Sequence, residues 1–220
     1  MVIRFFDIFF SFLALLFLLP LLAPIVFILR FTGEKEIFYM QERVGRNGNP
    51  FSLIKFSTML KDSPSIGAGE ITIKNDPRVL PFGRFLRKTK INELPQLLNI
   101  LFGHISVVGP RPMVPNTFHK YSTEAKSELN KVKPGLTGVG SIFFRDEEHF
   151  LEGKEDPRQF YDEHIIPFKN KLEIWFVENR SLLLYFKIIF ITAWIILFPK
   201  SKIVLSKFNS LPEVPDEPLE

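Results

Sequence analysis

The chain has 220 residues, of which 46% are hydrophobic and 24% charged, enough for one domain with a sizeable core. It contains no cysteine, which excludes disulfides, thiol nucleophiles and thiolate metal sites. The formal net charge is +4, but the tail from Asn209 carries four acids and no base, so residues 1–208 hold +8. This charge suits a surface facing anionic lipid and nucleotide phosphates, and no nucleic-acid recognition motif accompanies it.

The first predicted element is an apolar segment from Ile8 to Leu29, in which Ser11 is the single polar residue. As a helix it would extend roughly 33 Å, enough to cross the hydrocarbon core of a bilayer and too long for a signal-peptide core. Pro20 and Pro24 each remove a helix N–H and clash with the preceding turn, which predicts a helix-break-helix that enters and leaves on one face. Hydropathy alone favours a simple span with the following domain in the cytoplasm.

Short strands, a loop and a basic helix follow the apolar segment. Ile37–Met40 and Phe51–Phe56 predict two strands joined by a glycine-rich turn, and Ser63–Glu70 predicts a loop. Basic residues then recur at helical spacing at Arg84, Arg87, Lys88 and Lys90.

Asn92 is predicted to cap the next helix, because its side-chain oxygen can accept a hydrogen bond from the free N–H groups of the first turn. Glu93 follows in that turn, where an acid suits the helix dipole. An apolar face then leads to a stop at Gly103, through Leu94, Leu97, Leu98 and Leu101. Glu93 is therefore expected at the mouth of a packed helix.

A short buried strand is predicted at Ile105–Val108, and the Gly109–Pro112 turn that stops it would hold Arg111 on a stiff backbone. A carboxylate, several cations and free helix N–H groups are thus expected to converge, as a site for a metal-bound diphosphate requires. The alternative interpretation is a basic surface helix followed by a capped amphipathic helix.

The C-terminal third predicts helices of three kinds. Asn116–Val132 reads as a surface helix, and Glu152–Asn170 as short helices around the rim of the site. The apolar run Ile188–Phe198 is too short to cross hydrocarbon and predicts a helix lying in the membrane interface, with a short span from Leu182 as the alternative. The tail from Leu211 is rich in proline and acids and predicts disorder.

The chain resembles the bacterial sugar transferase family, the small monotopic phosphoglycosyl transferases, from its first apolar segment to about residue 205. Four stretches in the same order carry the resemblance: KNDPRVLPFGRFLRKT at 74–89, NELPQLLNIL at 92–101, SVVGPRP at 106–112 and VKPGLTG at 132–138. The resemblance also implies the re-entrant geometry for the first segment, with its break near Pro24.

The resemblance implies that a UDP-sugar gives its sugar-1-phosphate to a polyprenyl (undecaprenyl) phosphate and releases UMP, the first membrane step of assembling a capsule, O-antigen, exopolysaccharide or glycoprotein. In the family an Asp attacks the β-phosphorus beside a Glu, with Mg2+ neutralising the diphosphate. By position, Glu93 matches the second acid and is the expected Mg2+ ligand. The positions matched to nucleotide and phosphate binding are Lys55, Arg78, Arg87, Pro110, Arg111 and Pro112.

Asn92 stands where the family has its nucleophilic Asp, and an uncharged amide cannot replace that carboxylate. Another acid could attack instead, with Asp146 the main candidate beside Glu147 and Glu148. Alternatively Glu93 attacks, or the lipid phosphate attacks directly while Asn92 orients it. A further alternative is a catalytically silent scaffold that binds substrates or later glycosyltransferases. Two smaller departures from the family pattern are Ser57 and His104.

The predicted fold is α/β, mostly helical with a small sheet, in a monotopic membrane protein with interfacial amphipathic helices. Three regions are expected: a re-entrant membrane segment at 1–32, a transferase domain at 33–208 and a disordered acidic tail at 209–220. The predicted location is the cytoplasmic face of a bacterial inner membrane. The expected ligands are a UDP-sugar, a polyprenyl phosphate and membrane lipid, with a second copy or downstream glycosyltransferases as protein partners and no nucleic acid.

Overall fold

The structure is a computed structural model that describes residues 1–66, 76–145, 150–198, 208 and 211–212. The described residues form two units, which are treated separately below. Unit 1 comprises residues from Met1–Glu42 and Ser52–Gly103, and unit 2 comprises residues from Arg43–Phe51 and His104–Glu220. The predicted region boundaries at residues 32 and 208 stay predictions, and the predicted tail, except Leu211 and Pro212, lies outside the described residues.

Unit 1 begins with helix α1, Val2–Phe31, which contains Pro20 and Pro24 and continues through both. Both prolines are exposed, and the predicted helix-break-helix is not seen, because the helix is continuous across them. In the described part of the chain, α1 is the one helix both long and apolar enough to cross a membrane, which is compatible with an anchor. Its place relative to a bilayer stays a prediction.

One side of α1 packs against the rest of unit 1 along both halves of the helix. Near its start, Arg4 donates hydrogen bonds to the backbone carbonyls of Ile100 and Leu101, the second at 2.8 Å. The buried side then continues through the polar residues Asp7 and Ser11. The C-terminal half enters an apolar cluster whose buried members are Ile25, Leu29, Phe56 and Leu86.

Two short helices joined by a tight turn complete the helical part of unit 1. Helix α2 covers Pro81–Lys88, a 3-10 turn covers Ile91–Glu93, and helix α3 covers Gln96–Phe102. Gly103 ends α3 with φ of 87°, the left-handed conformation that a helix-terminating glycine adopts, so the predicted stop is confirmed. Helix α3 packs against α1, and α2 packs against the 3-10 turn.

Strands β1, Phe38–Val44, and β2, Pro50–Phe56, form a two-stranded sheet, which confirms the predicted hairpin and lengthens its first strand. Within unit 1, the Asn99 side chain fixes β2 to α3. Its Oδ1 accepts the Ile54 N–H at 2.9 Å and its Nδ2 donates to the Ser52 carbonyl at 2.8 Å. A fully buried amide thus has both ends satisfied, which places β2 beside the middle of α3.

Unit 2 contains a second small sheet and a set of short helices. The predicted strand at 105–108 is present as β3, Ser106–Val108, and pairs in parallel with β4, Gly135–Thr137. The single surface helix predicted at 116–132 is wrong, because the structure has α4, Pro115–His119, and α5, Thr123–Asn130. Ser122 separates the two by accepting the Ala125 N–H, a side-chain N-cap that starts a new helix.

The remaining described elements of unit 2 are all helical. They are α6, Val139–Phe143; α7, Pro157–Phe160; a π-helical turn, Tyr161–Ile165; α8, Ile166–Asn179; and α9, Leu182–Leu197. Helix α8 packs against both α5 and α6. Helix α9 has sixteen residues, mostly apolar but including Lys187, and is longer than the predicted run from Ile188. Its outer side exposes Leu183, Phe190 and Leu197. Overall, the described chain is mostly helical with small sheets, as predicted.

Candidate active site

The candidate site of unit 1 lies at the turn that precedes α3. Lys90 adopts a left-handed conformation with φ of 59°, which reverses the chain after α2. The Glu93 N–H then donates to the Lys90 carbonyl at 3.1 Å, and the Leu94 N–H donates to the Ile91 carbonyl at 3.1 Å. These bonds form the 3-10 turn that holds Asn92 and Glu93 directly before the helix.

The predicted capping role of Asn92 is wrong. The Leu94 N–H, which a cap at Asn92 would have bound, donates instead to the Ile91 carbonyl at 3.1 Å, and Pro95 at the next position has no N–H to offer. Asn92 itself is 7% exposed, and its Oδ1 has no hydrogen-bond partner among the described residues. A buried amide oxygen left unpaired is costly, so this atom is a candidate ligand-binding group.

Glu93 and Lys55 form an ion pair at the mouth of α3. Their Oε1 and Nζ atoms lie 3.8 Å apart, and their side chains are 20% and 17% exposed. Lys55 projects from β2, the strand that Asn99 ties to α3. The sequence placed both residues near the active site, and the structure brings them together. The pair combines a partly accessible acid with a cation, a combination that can bind a phosphate through the lysine and a metal through the acid.

Arg87 is the second predicted phosphate-binding residue of unit 1. It lies in α2, which packs against the turn carrying Asn92 and Glu93. The guanidinium contacts the Met59 sulfur, with Nη1 to Sδ at 3.6 Å, and the side chain is half-buried. This contact limits the motion of the Arg87 guanidinium at the site.

Arg78 is held in a different role from the predicted one. Its guanidinium donates to both carboxylate oxygens of Asp76, at 2.9 and 2.6 Å, and to the carbonyls of Ser63 and Ile66, both at 2.8 Å. The side chain is 4% exposed. These contacts connect Ser63 and Ile66 to Asp76. We therefore infer that Arg78 stabilises this part of unit 1.

Unit 2 contains the Arg111 loop, residues 109–112. Its backbone is fixed on two sides: the Gly135 N–H donates to the Pro110 carbonyl at 2.7 Å, and the Arg43 guanidinium donates to the Pro112 carbonyl at 2.9 Å. Both prolines are buried and Arg111 is exposed. Pro110 and Pro112 therefore shape the loop, whereas the Arg111 side chain is accessible to an anion.

Glu173, which the sequence analysis missed, contacts this loop. From α8 its Oε1 accepts the Arg111 N–H at 3.4 Å, while its Oε2 has no hydrogen-bond partner among the described residues. Burial raises the pKa of Glu173 to about 7, against the smaller opposing effects of the Arg111 N–H, Lys169 and the Arg111 charge. One signal in the sequence could have identified it, an acid within the otherwise apolar run of residues 172–177.

Three parts of the predicted site stay untested by these contacts. Asp146, with Glu147 and Glu148, lies outside the described residues. The predicted convergence of Glu93 with Arg111 combines residues of both units and stays a prediction. Among the described residues there is no group of three or more acids or histidines that could hold a metal without help from substrate.

Comparisons with known proteins identify relatives of the whole chain. The family model for bacterial sugar transferases matches residues 1–199. The exopolysaccharide production protein ExoY of Sinorhizobium fredii is 34% identical over 86% of this chain and 82% of its own length. The undecaprenyl-phosphate galactose phosphotransferase of Salmonella typhimurium is 32% identical, and the UDP-glucose:undecaprenyl-phosphate glucose-1-phosphate transferase of Klebsiella pneumoniae is 36% identical.

Coverage differs among these relatives. The Salmonella and Klebsiella proteins match over 88% and 86% of this chain, which spans 40% and 38% of their respective lengths. The match to ExoY, by contrast, includes most of both proteins. Because the family model extends over nine-tenths of the sequence, from the apolar helix through α9, the chain belongs to the bacterial sugar transferase family.

Proposed function

We propose that this chain transfers a sugar-1-phosphate from a UDP-sugar to a polyprenyl phosphate. The bond that breaks joins the β-phosphorus to the bridging oxygen, which leaves with UMP, and the bond that forms joins that phosphorus to a lipid phosphate oxygen. The Lys55–Glu93 pair, partly accessible beside Asn92, carries the proposal. Relatives named for undecaprenyl phosphate and for galactose or glucose transfer support it.

A polyprenyl phosphate keeps its tail in lipid and its phosphate at the headgroup level, so the reacting residues must lie at that plane. Helix α3 starts three residues after Glu93 and packs against the apolar helix α1. This packing supports a site close to the membrane surface. We place the transferase on the cytoplasmic face of a bacterial inner membrane, where UDP-sugars are available.

We also propose that α1 is re-entrant. Its two ends contact the same unit, through Arg4 at the start and Leu29 near the end. A 30-residue helix extends about 45 Å, so a straight span would carry the residues packed along one half of it into hydrocarbon. The exposed side of α1 is instead a continuous apolar surface for lipid, with Phe5, Phe9, Phe12, Leu16 and Phe17.

Mg2+ is the proposed cofactor. It prefers oxygen ligands and is usually held by one or two carboxylates together with substrate phosphates. Glu93 supplies the carboxylate, and the unpaired Asn92 Oδ1 next to it is an oxygen donor of the right kind. When bound, the ion would neutralise charge on the diphosphate. In unit 1 the proposed phosphate-binding residues are Lys55 and Arg87. For Arg111 of unit 2, phosphate binding is proposed from the family resemblance and its exposure, and the protein partners stay predictions.

The test is UMP release by the full chain in lipid nanodiscs containing undecaprenyl phosphate, with UDP-glucose and UDP-galactose as donors. Release that requires both the lipid phosphate and Mg2+ is the expected result. Binding of either donor without UMP release would replace the transferase with the silent scaffold. Glu93→Gln is expected to abolish release, and Glu36→Gln is the matched control, since Glu36 pairs with Lys61 on the exposed surface of the same unit.

The nucleophile is identified by a donor labelled in its β-phosphate and given without lipid phosphate. Label that stays on the protein indicates attack by a carboxylate, and mapping it separates Glu93 from Asp146. No label on a protein that still releases UMP when lipid is added indicates direct attack by the lipid phosphate. In every route Asn92→Ala keeps measurable activity, because the amide does not attack, and Asn92→Asp tests whether a carboxylate at that position accelerates the reaction.

A further inference from the structure

Glu173 is a buried acid that the proposed reaction does not use. Its side chain is 3% exposed, its Oε1 accepts only the long hydrogen bond from the Arg111 N–H, and its Oε2 has no hydrogen-bond partner among the described residues. An ionised carboxylate in such surroundings is costly, so a residue of this kind is unexpected in a helix that only packs.

The carboxyl lies where three segments of unit 2 meet. It projects from α8, contacts the Arg111 loop and faces α6, where a Cβ added to Gly140 would lie 2.5 Å from its Oε1. At a distance under 3 Å, a methyl group at Gly140 would require the Glu173 carboxyl to move. Because Gly140 has no side chain, the Glu173 carboxyl can lie against α6 and still contact the Arg111 loop.

The charges that act on Glu173 are those of Arg111 and of Lys169, one turn earlier on α8. Lys169 donates to the Tyr161 hydroxyl at 3.0 Å and lies over the Phe144 ring, with Nζ 4.9 Å from its centroid. Among the described residues, the other titratable groups on the elements packed against α8 are Glu124, Lys126, Glu128, Tyr161, Asp162, Glu163 and His164.

We propose that Glu173 is a positioning residue that holds the Arg111 loop for phosphate binding and couples that binding to a proton. This rests on the proposed function, in which Arg111 binds the diphosphate of the donor. The protonated and the ionised carboxyl can both accept a hydrogen bond from the Arg111 N–H, so both hold the loop. They differ in charge, because only the ionised carboxylate places a negative charge beside the Arg111 guanidinium.

The coupling follows from electrostatics. A bound diphosphate adds negative charge near Arg111, which makes the ionised carboxylate less favourable and draws a proton onto Glu173. Because linkage is reciprocal, the protonated protein binds the diphosphate more tightly. With the pKa of Glu173 raised to about 7 by burial, both forms exist near neutral pH. The affinity for a UDP-sugar is therefore expected to rise as the pH falls from 8 to 6.

The test is titration calorimetry of the full chain in nanodiscs with UDP-glucose or UDP-galactose, whose diphosphates do not titrate between pH 6 and 8. Buffers of different ionisation enthalpy report the protons taken up. The wild-type protein is expected to take up a fraction of a proton near pH 7 and to bind about 5-fold more tightly at pH 6 than at pH 8, the low end for coupled sites. Glu173→Gln keeps an acceptor but carries no charge, so it is expected to take up none and to bind equally at both pH values.

Two further variants separate positioning from mere packing. Glu173→Ala removes the acceptor and is expected to raise KM for the donor at every pH, while Glu128→Gln, an acid on α5 that pairs with Lys131, keeps wild-type behaviour. If Glu173→Gln takes up as many protons as the wild-type protein does, the inference is overturned. The proposed function still stands in that case, provided that the protein releases UMP. Equal affinities of wild type and Arg111→Met, or no binding by wild type, overturn both the phosphate assignment and the inference.

Discussion

Lys55 and Lys61 offer a matched comparison, because each pairs with a glutamate of the same unit. The Lys61–Glu36 pair has side chains that are 70% and 49% exposed, whereas both members of the Lys55–Glu93 pair are mostly buried. Exposed pairs contribute little to stability, and a partly desolvated lysine beside an acid is better suited to bind phosphate.

Replacing Lys55 by Met should therefore reduce kcat/KM for UMP release by about 100-fold, the effect of removing one preorganised electrostatic contact to a transition state. Lys61→Met should leave kcat/KM within about 2-fold, because its partner is screened by solvent. Steady-state kinetics of both purified variants would measure this, with thermal unfolding as the check on folding. Equal activities of the two variants would remove Lys55 from the site.

Glu173 also predicts a dependence of stability on pH. Its pKa is raised to about 7 in the folded protein, whereas the unfolded chain ionises near the ordinary value of about 4.3. Between these values the folded state holds the proton that the unfolded state has lost, so the contribution of Glu173 to stability falls as pH rises and is lowest above pH 7.

Glu173→Gln removes this cost, since a neutral amide does not ionise. We expect it to raise the unfolding temperature relative to wild type at pH 8 by more than it does at pH 5. Differential scanning calorimetry in detergent at both pH values would measure the difference. If Glu173→Gln changes the unfolding temperature equally at pH 5 and pH 8, the pKa of Glu173 is not raised by burial in the folded protein.

At the scale of single residues, the sequence indicated which residues are candidates for the site better than it indicated their contacts. Lys55 and Glu93 were each assigned to the site by resemblance to the family, whereas the ion pair that they form is visible only in the structure. The contacts of Arg78 could not be predicted, because Ser63, Ile66 and Asp76 come together around its guanidinium only in the folded chain. Glu173 was missed since burial is decided by the packing of α6 and α8, which no local pattern shows.

Helix α2 illustrates how a single backbone contact positions an element. Gly83 faces the chain at Thr58, where an added Cβ would lie 2.2 Å from the backbone carbonyl oxygen. The same carbonyl accepts the Leu80 N–H at 2.9 Å, so it cannot move away without breaking that bond. Helix α2 is thus held close to residue 58 at its start, and Arg87 is held one turn further along.

Gly83→Ala should therefore destabilise the protein by about 2 kcal/mol or more, the range found when a packed contact is overfilled. UMP release should fall as well, because the shift of α2 carries Arg87 with it. Arg84→Ala is the neighbouring control: Arg84 is exposed, and a surface change of this kind is expected within about 0.5 kcal/mol. Chemical unfolding in detergent gives both values, and a Gly83→Ala protein as stable as Arg84→Ala would refute the close approach.

The sequence predicted where elements lie better than how they begin and end. The apolar spacing and Gly103 gave α3 and its termination, because both signals are local. Its start was misjudged, since Asn92 resembles a cap but the chain forms a 3-10 turn that satisfies the N–H groups by itself. The break between α4 and α5 was also missed, although Ser122 carries the N-cap signature.

At the scale of the whole molecule, α1 decides where the protein lies relative to the bilayer. Length and apolarity allow a span, and they cannot separate a span from a re-entrant helix. Contacts within unit 1 add what the sequence lacks: Arg4 binds the end of α3, and Leu29 packs with Leu86 of α2. Helix α2 also exposes Arg84 and Lys88, whose charges cost several kcal/mol each in hydrocarbon.

Both ends of α1 are therefore expected on the cytoplasmic side, and the absence of native cysteine makes this directly measurable. Val2→Cys and Glu34→Cys place single thiols at exposed positions before and after the helix, and Ser127→Cys in α5 marks unit 2, which we propose to be cytoplasmic. In intact spheroplasts, a membrane-impermeant maleimide should label none of the three, and after permeabilisation it should label all of them. Labelling of Val2→Cys from outside, with Glu34→Cys still protected, would establish a straight span. Because Arg4 could not then reach the α3 carbonyls on the opposite side, that result would also overturn the packing of α1 on α3.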